Sequence, residues 1–139
     1  MKIIDVLGWR HFVSDDTALD NDKVGKWMYF FRGLEGQQFA EEMCRKAVKD
    51  GVVAAAKRGD NPADGVACFY LNCDDEAAHK RIISFLIEHN MIRRTKAGKL
   101  YDISFKLDQQ TLAGEYGEDF QPVIKLSTFI NLYTGEWIR

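Results

Sequence analysis

The stretch VGKWMYFF, residues 24 to 31, constrains the fold more than any other segment. Its aromatic and branched residues favour a strand, and alternate strand side chains face opposite sides. Val24, Lys26, Met28 and Phe30 therefore share one face, and Trp27, Tyr29 and Phe31 share the other. Both faces are apolar except for one cation. Either the strand is covered on both sides and Lys26 escapes at its end, or one face lines something that wants a charge.

The flanking segments suggest what covers such a strand. Residues 1 to 13 alternate loosely and supply an edge strand around Trp9 to Val13, followed by an acidic loop at 14 to 22. GQQFAEEMCRKAVKDG (36 to 51) is an amphipathic helix, with Phe39, Met43, Ala47 and Val48 at helical spacing and Gly51 placed to end it. VVAAAKR (52 to 58) and VACFYL (66 to 71) are short apolar runs either side of GDNPADG, the chemistry of a hairpin turn. A second helix spans about 75 to 89, with Asp74 or Asp75 as N-cap, a stripe of Ala78, Ile82, Phe85, Leu86 and His89, and Asn90 at its end. LYDISFKL (100 to 107) alternates strictly, VIKLSTFINL (123 to 132) reads as a further strand, and YTGEWIR turns into a terminal one. Two helices against a mainly antiparallel sheet make an α+β sandwich of two layers. With both helices on one face, the other sheet face stays open. The expected organisation is a single domain over 1–139.

Composition narrows the function classes. At 46% hydrophobic and 29% charged residues, the chain is of ordinary globular type. A net charge of −2 argues against a general nucleic-acid binder, although a local basic patch is compatible with it. No apolar run is long enough to cross a bilayer, and the N-terminus lacks the pattern of a signal peptide. Three sparse cysteines, Cys44, Cys68 and Cys73, fit reduced thiols. The expected location is cytoplasmic, with no membrane partner.

The open face directs attention to lysines. Lys26, Lys57, Lys106 and Lys125 lie within or at the ends of apolar strand patterns, and Asp102, Ser104 and Lys106 project together from one strand. Sharing a face, these lysines form an anion site for a phosphate or carboxylate. The alternative is that they only protect a solvated sheet face. The row Trp27, Tyr29, Phe31 is a stacking platform for a base or, alternatively, core. Arg10 beside Trp9 reads as a surface pair. Arg93, Arg94, Lys96 and Lys99 form a basic turn that contacts nucleic-acid backbone or, alternatively, is a solvated turn that suits the end of a helix. Cys68, Cys73 and His79 lack zinc spacing, so no metal is expected. No nucleophile elbow, dinucleotide fingerprint or P-loop occurs, and no cofactor is expected.

GKWMYFF, a helix, AAAK, VACFY, a helix and LYDISFKLDQQTLAGEYG follow one another in this order. Over roughly residues 24 to 117 this resembles the basophilic leukaemia expressed protein family. The resemblance implies the fold of the mRNA cap-binding translation initiation factor, a curved antiparallel sheet backed by helices. The positions that match its motifs are Lys26, Trp27, Lys57, Lys106, Asp108, Thr111, Gly114 and Tyr116. The chain departs from a cap binder in having no tryptophan between Met28 and Glu136, so a two-tryptophan sandwich is not matched. Some relatives carry a phosphothreonine lyase label, which implies a lysine base, a histidine acid and arginines on phosphate. No histidine falls in the lysine-bearing strands.

The resulting expectation is a binding module for a phosphorylated ligand, a nucleotide or an RNA end, on the open face. Lys26, Lys57, Lys106 and Lys125 contact it, and Tyr116 or Trp27 stacks. The first alternative is a phospho-lyase or phosphate-ester-cleaving enzyme with Lys106 as base, Tyr116 as acid and Asp102 to orient. The second is a protein-interaction domain that uses the sheet edge or the aromatic face and takes no small ligand.

Overall fold

The strand at the centre of that reading, Val24–Phe31, forms over its whole length (β3). The structure is a computed structural model that describes residues 1–15, 19–108 and 124–139. Among these the elements run β1 (Lys2–Val6), β2 (Trp9–Val13), β3, α1 (Gly33–Lys49), β4 (Ala55–Gly59), β5 (Gly65–Asn72), α2 (Glu76–Glu88) and β6 (Lys106–Leu107). One antiparallel sheet of order β1-β2-β4-β5-β3-β6 collects the strands. The protein is therefore α+β. Helix α1 crosses from β3 to β4 over β5, and α2 lies on the crossover from β5 to β6 past β3. This is the split βαβ arrangement, in which each crossover joins two strands that have one other strand between them.

The register settles which residues share a face. Trp27 pairs with Phe69, and Phe69 with Ala56, which pairs with Phe12. All four are essentially inaccessible to solvent and carry the helices. Tyr29 meets Phe39 of α1 edge-on, and Phe69 meets Phe85 of α2. Both helices thus pack on one face, with Ala40, Cys44 and Ala47 of α1 and Ile82, Ile83 and Leu86 of α2 completing the core. The Phe105 ring lies against Gly25 and the Phe31 ring against Gly65, where an added Cβ would collide. The helix ends follow the sequence. The Asp75 side chain accepts from the Ala78 N–H at 3.1 Å, and Gly51 (φ 74°) and Asn90 (φ 55°) take the left-handed turns after α1 and α2.

Three expectations change. Trp9–Val13 is not an edge, because Lys2–Val6 folds back on it through Leu7 and Gly8, both at positive φ. The run at 100 to 107 forms a strand only at Lys106–Leu107. Leu100 and Phe105 are both buried, which strict alternation forbids, so the chain changes face between them. Asp102 is where it is held: its carboxylate accepts from the Ser127 N–H at 2.8 Å and the Ser127 hydroxyl at 2.7 Å. The described part of the 123 to 132 run is not a strand either. Leu126–Thr128 is a 3-10 turn, and Leu126, Phe129 and Ile130 are buried at the spacing of a turn. The Thr128 hydroxyl there accepts from the Lys125 N–H at 3.3 Å, a local bond that competes with a strand ladder. The terminal strand reduces to one bridge, Ile130 to Trp137. No helix among the described residues is long and apolar enough to cross a membrane.

Candidate anion site on the open sheet face

The face turned away from the helices carries Lys26, Met28 and Phe30 of β3, and pairing extends it across the sheet. One row runs Ile4, His11, Lys57, Cys68, Met28 through the cross-strand pairs. The adjacent row holds Tyr70, Lys26 and Lys106. Lys26, Lys57 and Lys106 therefore do share the open face. Lys125 is exposed and lies farther out, bridged to Ser104.

These cations are not equivalent. Lys26 is largely covered and its ammonium meets the Asp108 carboxylate at 2.7 Å, so its charge is matched within the chain. Lys106 stands directly opposite it. Lys57, partly buried near the middle of the sheet, makes no ion pair among the described residues. Its ammonium instead sits 3.9 Å from the centroid of the Trp9 ring and 5.9 Å from that of Tyr70. Ring faces attract a cation, but they leave its hydrogen-bond donors unused. His11 is the direct cross-strand partner of Lys57. Burial first, and then the Lys57 charge, hold its pKa below the ordinary histidine value, so the ring is neutral at pH 7. Cys68, in the same row, is buried; burial raises its thiol pKa despite the nearby Lys57 and Lys26 charges. It remains a thiol. Burial likewise raises the Tyr70 phenol.

Several expected residues lie elsewhere. Trp27 is a correction: it faces the core and is fully buried, with its Nε1–H donated to His79 Nδ1 at 3.1 Å. It offers no stacking surface. Trp9, which sequence reasoning did not place in the site, occupies the open face. Its signal was its position two residues before His11 in a strand. Arg10 points to the helix side, bound to Asp5 and Glu41. Asp102 is engaged by Ser127 at the far edge, and Lys106 sits beside Lys26, so Asp102 and Lys106 do not form one cluster. Tyr116, Thr111 and Gly114 lie outside the described residues.

The cysteines and histidines do not gather. Cys68 is on the open face, whereas His79 is under the sheet, with Nε2 on the Cys73 carbonyl at 2.9 Å. Among the described residues no group of three His, Cys, Asp or Glu side chains is placed to hold a metal ion. What the open face offers is a cation with spare donors, flat aromatic surface beside it and a neutral imidazole one strand away. No protein-family model matches the chain, and no curated protein matches it in sequence.

Proposed function

We propose that the open sheet face binds the phosphate of a phosphorylated ligand, a nucleotide or an RNA end, with Lys57 at the centre of the site. The observation that carries this reading is the Lys57 ammonium, partly buried over Trp9 and without a carboxylate among the described residues. A cation removed from water loses hydration that only a partner can replace. An incoming phosphate supplies acceptor oxygens, and Lys106 adds a second positive charge three strands away, on β6. Trp9 and Tyr70 offer ring surface for a base or sugar next to the bound phosphate.

The test is calorimetric titration with pyrophosphate, ADP, GTP and a short 5′-phosphorylated RNA, for the wild type and Lys57→Ala. A loss of about tenfold or more in affinity, equivalent to roughly 1.4 kcal/mol, is expected in the variant. Absence of binding at millimolar ligand, or equal binding by the variant, refutes the site.

A second reading, phosphate-ester cleavage, gains support from the His11–Lys57 pair. A neutral imidazole beside a phosphate-holding ammonium is suited to accept a proton. His11→Gln then removes turnover of a phosphorylated substrate while binding survives. If both proteins bind and neither turns over, the binding module stands alone.

A further inference from the structure

The outer edge of β3 leads to a second site. Pairing with β6 stops after Gly25 and Lys26. From Met28 to Phe31 the outer edge has no main-chain hydrogen bond among the described residues. The segment that would have paired there, residues 101 to 104, is drawn off instead. Asp102 is clamped to Ser127, the Tyr101 N–H bonds the Arg93 carbonyl, and the Ile103 N–H turns back to the Tyr101 carbonyl. A cleft of about 480 Å³ opens between β3 and this segment. Met28, Phe30, Met91, Ile92 and Tyr101 line it, and Phe30 and Tyr101 are half exposed or more.

An open strand edge is a template for another strand. Most proteins blunt such an edge with charge or proline. Here the strand has neither charge nor proline from Met28 to Phe31, and Met28, Tyr29 and Phe30 line a largely apolar cleft whose one carboxylate, Asp102, is engaged by Ser127. One rim is cationic. Arg93 lies on the cleft wall, Arg94 and Lys96 follow it, and none of the three meets a carboxylate among the described residues.

We infer that this edge binds an extended peptide segment of a partner protein as an added β-strand. The main chain of Met28–Phe31 supplies the hydrogen bonds. The cleft takes an apolar side chain, and Arg93 and Arg94 face acidic residues next to it. This is strand addition, in which backbone bonds carry affinity and pockets read alternate side chains. It rests on the open edge of β3 and does not use Lys57, Trp9 or His11 of the anion site.

The test uses the whole chain and a set of capped octapeptides, each a six-residue core that alternates Val or Ile with Ser plus two Glu residues, or two Ser residues in the neutral control, at one end. Binding is read by fluorescence anisotropy, and amide exchange of residues 28 to 31 by mass spectrometry. The proposal expects protection of those amides on binding. It also expects about tenfold or greater weakening when the best peptide is N-methylated at alternate residues, since the main-chain donors are lost. Arg93→Glu with Arg94→Glu, both exposed, should weaken the acidic peptides and spare a neutral one. Binding indifferent to N-methylation overturns strand addition, as does a set with no binder at hundreds of micromolar. Protection of the same amides without peptide, with a dimer in sedimentation, assigns the edge to a second copy and overturns it too. Displacement of the peptides by a short RNA, with no amide protection, assigns the basic rim to nucleic acid and likewise overturns it.

Discussion

Trp27 and His79 are the residues on which the core is most finely balanced. The indole donates to Nδ1, so His79 carries its proton on Nε2 and gives it to the Cys73 carbonyl. The ring is enclosed by Phe105 and Phe129 at 5.0 and 5.3 Å. Trp27→Phe keeps an aromatic ring but leaves a buried nitrogen without its donor. It should cost about 2–3 kcal/mol, measured by urea unfolding. Burial, more than the opposing Cys73 hydrogen bond, lowers the His79 pKa below its unfolded value. The unfolded chain therefore takes up a proton first, near pH ~6.5. Stability is full above that value and falls as pH drops from it towards the folded pKa. His79→Gln should be less stable at pH 7.5, yet lose less between pH 7.5 and 5.5 than the wild type. A parallel fall in both proteins would exclude His79 as the source. His11 titrates in the same direction and remains in both.

Among the elements, α1 is tied to the sheet by charge as well as by its apolar stripe. Glu41 accepts from Arg58 of β4 at 2.8 Å, Arg10 of β2 at 2.9 Å and Arg45 one turn on at 3.1 Å. Arg58 is almost wholly covered on the helix face, and also holds Asp60. Burial alone would raise the Glu41 pKa, but hydrogen bonds from Arg58, Arg45 and Arg10 bring it below the ordinary value. Glu41→Ala leaves the largely covered Arg58 with only the half-exposed Asp60 as its carboxylate partner. A cost of about 2–3 kcal/mol is expected in urea unfolding, less than for a fully buried pair because Glu41 reaches solvent on one side. The carboxylate contribution is present above pH ~4.5 and is lost as pH falls through the folded pKa. The wild type should thus show an acid-induced loss of stability below that point which Glu41→Ala lacks.

For the whole molecule, the sheet separates two environments. One face is sealed by helices, and the other exposes cations, aromatic rings and His11 to solvent. A phosphate ligand held at Lys57 binds the folded state alone. At about 100 times its dissociation constant it should raise the midpoint of thermal unfolding by roughly 9 °C. The shift should shrink as salt rises, because the attraction is electrostatic and partly solvent-exposed. An unchanged midpoint across the phosphate series, with or without salt, would count against the anion site.

Local pattern was sufficient where each residue's own neighbours decide its state. The strand at 24 to 31, the two helices and the Asp75 cap were all legible in that way, since period and turn chemistry are short-range properties, whereas the face shared by Lys26, Lys57 and Lys106 was open until the strand order was known. Where two segments compete for one partner, the sequence was silent. The alternation of 100 to 107 yields to a clamp from Ser127, 25 residues farther along the chain. Trp9 and His11 reach Lys57 only because β2 lies beside β4, a strand order that no local period encodes. Lys26 and Lys57 look alike in their strands, and what distinguishes them is the presence of Asp108 beside one and of a bare aromatic ring beside the other. The sequence by itself thus determined the layers and the side on which charge could gather. Only the tertiary structure decided that Lys26 meets a carboxylate and Lys57 an aromatic ring, because pairing of charges across a sheet depends on which strands become neighbours.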